Sequence, residues 1–298
     1  MNQFKSEQIL IIGAGKRVTQ QLLPTLISIG ISQKNLIIVR KEKKMIKEYP
    51  EIEVSCDLIT TLKFFKGRLV FCCLDRNAYT EISDILLKIE DQKVIFFDTP
   101  IFRSFEKIIR LEKYHSLYVL EETILIPWIE NFKQVFNTRG LVILWRMLYE
   151  YHGMALLTKL DENVRINRIR FFNGKSLLVA RVNKKLVISL GYYKVDKGNC
   201  IVLDLNISHV LPVLHSRWQN KVASNILNSR EYFSILDMNS NLYKTLSKGK
   251  IYRNFESWKL LALNIGLANL INGESVDFPL VSCAYLIEKA LVVGPTCE

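Results

Sequence analysis

Through its first 120 residues the chain alternates short apolar runs with amphipathic segments: QILIIGAG, VTQQLLPTLISIG, NLIIVRK, RLVFCCLD, AYTEISDILLKIE and KVIFFDTP follow in order. Continuous apolar runs of about 4 to 8 residues read as strands buried on both faces, and the helical patterns between them supply the crossovers that parallel pairing needs. The alternation predicts a doubly wound α/β domain with a parallel sheet over residues 1–122. Beyond Trp128 the pattern changes. VRINRIRFFNG, KSLLVARVN, KKLVISLGYYKV and NCIVLDLN are separated by turns such as FNGK and VNKK rather than by helices, which predicts antiparallel strands. Two helical stretches, ESWKLLALNIGLANLING and LVSCAYLIEKAL, close the chain. The second domain, 123–298, is therefore expected to be α+β with a largely antiparallel open sheet.

With 298 residues, 49% of them apolar, the chain can build a sizeable core in each domain. No run approaches the roughly 20 apolar residues of a membrane span. MNQFKSEQ leads into a strand rather than into the apolar centre of a signal peptide, so a cytoplasmic protein without a membrane partner is expected. The six cysteines, Cys56, Cys72, Cys73, Cys200, Cys283 and Cys297, show no CxxC spacing, and neither a disulfide framework nor a metal site is indicated. A formal charge of +12 favours anionic partners. The basic residues are spread along the chain, with KEKKMIK at 41–47 the one cluster. A solvated face and a small phosphate-bearing ligand account for that distribution better than nucleic acid does.

The segment ILIIGAGKRVTQQLLPTL, residues 9–26, places Gly13 and Gly15 between a strand and a helix. In a Rossmann-type turn the first glycine permits the tight bend and the second lets the backbone approach a pyrophosphate. The third glycine, which packs helix on strand, is here Val18. Lys16 and Arg17 open the helix, where N–H groups and the helix dipole favour phosphate. A plain strand-helix turn has the same composition, but its place after the first strand of an alternating pattern favours a nucleotide site. At the end of the second apolar run stand Arg40 and Lys41, where a NAD-preferring fold carries an acidic residue. These cations suit the 2′-phosphate of NADP, and as surface charges they need no ligand.

Taken together, IIGAGKRVTQQLLPTL with Pro24, VFCCLDRNAYTEISDILLK, KVIFFDTPIF and NLINGESVDFPLVSCAYLIEKAL resemble, in order and spacing, the glucose-fructose oxidoreductase and inositol dehydrogenase (Gfo/Idh/MocA) family over nearly the whole chain. The resemblance implies a nicotinamide cofactor, NADP or NAD, whose ring borders the turn holding Asp75 and Asn77 and the turn Asp98-Thr99-Pro100. The family carries Glu-Lys-Pro at the latter turn, and its lysine assists proton transfer. Thr99 cannot carry that charge or act as a general acid at neutral pH. Ile124, three places before Pro127, and Asp75-Arg76-Asn77 with Tyr79 depart in the same way from the family's Arg-Phe-x-Pro and from its Pro-Asn turn with a histidine.

Replacement chemistry is sought among four histidines. His152, flanked by Tyr149 and Tyr151 in LYEYHGMALL, is a candidate proton donor, and a loop histidine bonded to backbone would look the same. His209, five places after Asp204, approximates an Asp-x-x-x-His pair that the resemblance assigns to the substrate pocket. His115 and His215 have no supporting context and read as surface or core-edge residues. Glu121 and Glu122, at the domain junction, could line a cleft, although a solvated pair is the plainer reading. Trp128 and Trp145 could stack on a sugar, or fill core.

These residues together predict an NADP-preferring oxidoreductase that transfers a hydride to or from a carbonyl, imine or secondary alcohol. The catalytic candidates are His152, His209 and Thr99. Gly13, Gly15, Lys16, Arg17, Arg40, Lys41, Asp75, Asn77, Asp98 and Pro100 are assigned to the cofactor, and Glu122, Trp128, Tyr151 and Asp204 to the substrate. The resemblance implies a sugar or sugar-nucleotide substrate and homo-oligomers formed through the C-terminal sheet, and a small anionic substrate fits the positive charge of the chain. The alternative is a non-catalytic relative that uses the fold as a sensor or scaffold.

Overall fold

The computed structural model describes residues 4, 6–75, 77–125, 151, 155 and 255–292, together with five strands at 142–144, 165–170, 176–182, 185–189 and 202–204. The chain divides into two compact units, residues 1–122 with 263–285, and residues 123–262 with 286–298.

The first unit is a six-stranded parallel sheet of β1 (Ile9–Ile12), β2 (Leu36–Val39), β3 (Glu53–Ser55), β4 (Leu69–Cys72), β5 (Val94–Phe97) and β6 (Ser116–Val119), ordered β3-β2-β1-β4-β5-β6. Every residue of β1, β2 and β4 is buried, as expected of strands covered on both faces. β3 and β6 were not anticipated. They are the edges of the sheet, β3 with no buried residue and β6 alternating buried with half-buried positions, so neither forms the continuous apolar run that betrays a central strand.

Helix α1 (Leu23–Ser28) is preceded without interruption by a π-helical turn, Val18–Leu22, in which the Leu23 N–H donates to the Val18 carbonyl. Pro24 explains the widened turn: it has no N–H for the carbonyl four places back, and its ring crowds that carbonyl. Asp57 caps α2 (Leu58–Phe64), its Oδ1 accepting from the Thr60 N–H at 3.0 Å. Helix α3 (Tyr79–Leu86) connects β4 to β5, and the short α4 (Phe105–Ile108) follows β5.

Two helices follow near the C-terminus, α5 (Phe255–Asn272) and α6 (Val281–Val292). The segment 263–285, assigned from the sequence to the domain 123–298, packs on the first unit. The Phe4 N–H donates to the Ile271 carbonyl at 3.3 Å, and the Val119 N–H to the Pro279 carbonyl at 2.8 Å. Tyr118 bridges Leu280, and Phe278 stands edge-on to Phe96 with ring centroids 5.3 Å apart. The returning chain thus covers the β6 edge, whose N–H and C=O groups would otherwise be open for pairing.

In the second unit, β8 (Arg165–Arg170), β9 (Ser176–Val182) and β10 (Lys185–Ser189) pair antiparallel in the order β10-β9-β8. The strands β7 (Val142–Leu144) and β11 (Val202–Asp204) form an antiparallel pair, with Leu203 opposite Ile143. No described helix is long and apolar enough to cross a membrane.

Candidate functional site

In the order β3-β2-β1-β4-β5-β6 the sheet changes winding direction between β1 and β4, and the carboxyl ends of those strands border the crevice where such sheets take ligands. The glycine turn lies there. Gly13 is buried, has φ +108°, and donates its N–H to the Val39 carbonyl at 2.8 Å. A Cβ on it would stand 2.1 Å from the Cys73 carbonyl oxygen, so the turn requires glycine on grounds internal to the protein. Gly15 is different. It is exposed, and a Cβ there would meet nothing within 4 Å. The described protein does not need a glycine at this position; a group approaching the backbone from outside would. Val18, in the third place of the motif, is fully buried, and its N–H and that of Thr19 both donate to the Gly15 carbonyl at 3.0 Å.

Arg17 draws together two residues assigned separately from the sequence, Glu122 and Asp98. Its guanidinium lies against the Glu122 carboxylate in a two-point contact, Nη1 donating to Oε1 at 3.1 Å and Nη2 to Oε2. Nη1 also donates to Gln21 Oε1, and Nη2 to the Leu120 carbonyl at 3.2 Å. Asp98 Oδ1 stands 3.6 Å from Nε, which is buried and makes no hydrogen bond. The Arg17 side chain is 19% exposed and that of Glu122 is 2% exposed. Burial opposes the guanidinium charge, but Glu122 and Asp98 together outweigh it and hold Arg17 more firmly protonated than usual. Glu121 and Glu122, for which a solvated pair was the plainer reading, are both buried.

Tyr79 was not assigned a site role. It is fully buried, and its hydroxyl lies 2.9 Å from the Cys72 carbonyl and 2.7 Å from the Asp98 carbonyl while accepting from the Leu74 N–H at 3.4 Å. One side chain thus joins the ends of β4 and β5 and positions the backbone at Asp98. Burial, with Asp98 nearby, pushes its phenol pKa well up, so it stays neutral. The signal in the sequence was a tyrosine in the first turn of the helix after β4.

The other assigned residues are dispersed. Lys16 is exposed. Arg40, at the end of β2, is half-buried; its N–H donates to the Ser55 carbonyl at 3.0 Å and its guanidinium to the Lys44 carbonyl at 3.4 Å, with Lys41 exposed beside it. Asp75 and Asn77 form an exposed turn in which Asp75 Oδ1 accepts from the Asn77 N–H at 3.0 Å. Thr99 is half-buried, Pro100 is exposed, and the bond between them is cis. Tyr151 is buried within the second unit, and Asp204 ends β11 opposite Val142. His152, His209 and Trp128 lie outside the described residues. Among the described residues no cluster of His, Cys, Asp and Glu could hold a metal ion. Burial raises the pKa values of Cys72 and Cys73, which stand in the core as thiols.

No protein-family model matches this sequence, and no curated protein matches it significantly. Among solved structures the chain is similar to the WlbA (WbpB) dehydrogenase from Thermus thermophilus in complex with NAD and UDP-GlcNAcA. Identity is 11% and the TM-score 0.59, with 97% of each chain covered. It is equally similar to a probable dehydrogenase from Thermotoga maritima, at 11% identity and TM-score 0.59 over 96% of this chain and 95% of that one. An oxidoreductase from Thermotoga maritima follows, at 10% identity and TM-score 0.51 over 93% and 99%. The likeness is one of fold.

These residues fit a dinucleotide. The open side of Gly15 admits a backbone-hugging diphosphate, and the cations at the end of β2 suit the adenosine half.

Proposed function

We propose that the chain is a divergent relative of the Gfo/Idh/MocA oxidoreductases that binds NADP in preference to NAD. The observation that carries this reading is Gly15: an exposed glycine at the switch point of a Rossmann-type sheet, with open space where a side chain would stand. Arg40 and Lys41 support the preference for a 2′-phosphate. When bound, the nicotinamide would accept or supply a hydride at a carbonyl, imine or secondary alcohol. In this reading Tyr79 fixes the backbone at Asp98, Thr99 borders the reacting carbon, and His152 or His209 moves the proton. The solved dehydrogenase described with NAD and UDP-GlcNAcA supports a sugar-nucleotide-like substrate, as does the positive charge of this chain. The reading extends to a cytoplasmic homo-oligomer assembled through the antiparallel strands of an open C-terminal sheet.

A second reading, a sensor or scaffold without catalysis, draws on Thr99 standing where the resemblance expects a lysine, and on an Arg17 already bound to the protein's own carboxylate.

Calorimetric titration with NADPH and NADH, on the natural protein and on Arg40→Asp, tests the proposal. Binding of NADPH at least tenfold tighter than NADH is expected, with Arg40→Asp abolishing the difference. Equal affinities would remove the NADP preference. No binding of either cofactor would leave the scaffold reading standing.

A further inference from the structure

Arg17 has five N–H donors, and four are committed. Nη1 serves Glu122 and Gln21, Nη2 serves Glu122 and the Leu120 carbonyl, and Nε alone makes no hydrogen bond. Arg17 follows directly on the Gly15-Lys16 step, so it stands where a diphosphate lying over the open side of Gly15 would seek a cation. A phosphate arriving there finds the guanidinium already bonded at two points to a buried carboxylate. Planar two-point recognition is the geometry that guanidinium offers phosphate as well as carboxylate. The two anions therefore compete for the same edge, and they also repel each other across it.

We propose that Glu122 is a built-in competitor of the nucleotide diphosphate at Arg17: the carboxylate occupies the guanidinium in the resting chain, and the diphosphate displaces it on binding. This rests on the nucleotide reading above. Glu122 thereby sets the nucleotide affinity, and its release couples occupancy of the glycine turn to the chain segment following β6, where Glu122 lies 105 positions from Arg17. Asp98 stays near Nε through the exchange and retains a partner charge beside the guanidinium.

The test uses Glu122→Gln, which keeps a hydrogen-bond acceptor for Arg17 and removes the charge, and Glu122→Asp, whose shorter side chain keeps the charge and retreats from the guanidinium. Melting curves establish that each variant is folded, and calorimetry measures NADPH, NADH, ADP and adenosine on each. Both variants should bind ADP about tenfold tighter than the natural protein. Adenosine, which carries no phosphate, should bind all three proteins alike. Natural protein that binds NADPH, with variants that bind ADP no tighter or more weakly, would overturn the competition and leave the nucleotide reading intact. A gain shared equally by adenosine would also overturn it, because the diphosphate would not be the group that competes. Failure of all three proteins to bind any of the four ligands would overturn the nucleotide reading, and the competition with it.

Discussion

The two ends of the parallel strands, an amino edge and a carboxyl edge running across the sheet, both bury charged side chains, and they satisfy them differently. At the amino edge, Lys93 is 2% exposed; its Nζ donates to the Gly67 carbonyl at 2.9 Å and lies 5.2 Å from the centre of the Phe65 ring. His115 beside it accepts the Lys93 N–H at Nδ1 and has Nε2 3.3 Å from the Leu86 carbonyl. Backbone groups are the main partners there, with the exposed Asp91 carboxylate 3.6 Å from the Lys93 Nζ. At the carboxyl edge Arg17 is held chiefly by Glu122, a side chain rather than backbone. Each edge also has one glycine wedged against a carbonyl: Gly67, whose Cβ would stand 1.9 Å from the Gln8 oxygen, and Gly13 at 2.1 Å from that of Cys73. The close approach to a carbonyl is similar at both, with a positive φ added at Gly13, and the sharper difference lies in the charge partners. A charge bonded to backbone can only be structural; one bonded to a carboxylate side chain beside an open glycine is the kind that the proposed exchange requires.

The largest effect should come from the wedged glycines, where the two edges ought to behave alike. Gly13→Ala and Gly67→Ala should each lower stability by more than about 3 kcal/mol in urea unfolding, against about 0.5 kcal/mol or less for Gly15→Ala. A mild Gly13→Ala would mean that the turn does not ride on the Cys73 carbonyl. Next in size is the charge contrast. Arg17→Met deprives a buried carboxylate of its guanidinium and should cost about 3 kcal/mol. Lys93→Met leaves the Gly67 carbonyl short of a donor and deprives only a solvent-exposed carboxylate, Asp91, of its ion pair, and should cost about 1 to 2 kcal/mol. The reverse order would place the structural charge at the carboxyl edge. The smallest effect concerns pH. Burial holds the pKa of His115 below its usual 6.5, the Lys93 charge adding to this against the Leu86 carbonyl bond, and a protonated Nδ1 could no longer accept the Lys93 N–H. The unfolded chain therefore takes up the proton first, so this contribution to stability is complete above about pH 6.5 and is lost as pH falls through the lower folded value. The unfolding free energy from urea titration should fall further between pH 7.5 and pH 5 in the natural protein than in His115→Asn.

Much of the fold was legible because burial on both faces writes continuous apolar runs into β1, β2, β4 and β5. The edge strands β3 and β6 were not, since half-exposed residues erase that signal. Gly13 and Gly15 could be located by pattern but not told apart: the Cys73 carbonyl that makes Gly13 obligatory is contributed by a different strand. The meeting of Arg17 with Glu122 was equally hidden, because a contact across 105 positions leaves no local trace in either segment. Asp98 and Glu122 entered as separate cofactor and substrate residues, and the strand order gathers them around one guanidinium.

The return of residues 263–285 to the first unit bears on how the chain is made. A ribosome that has delivered residues 1–122 has released all six parallel strands but not Pro279 and Leu280, which cover β6. Until most of the remaining chain emerges, β6 offers an unpaired edge to any neighbouring nascent chain. The parallel-sheet unit thus has all its strands long before the segment that covers its edge is made, and the interval between is its period of greatest exposure to misassembly.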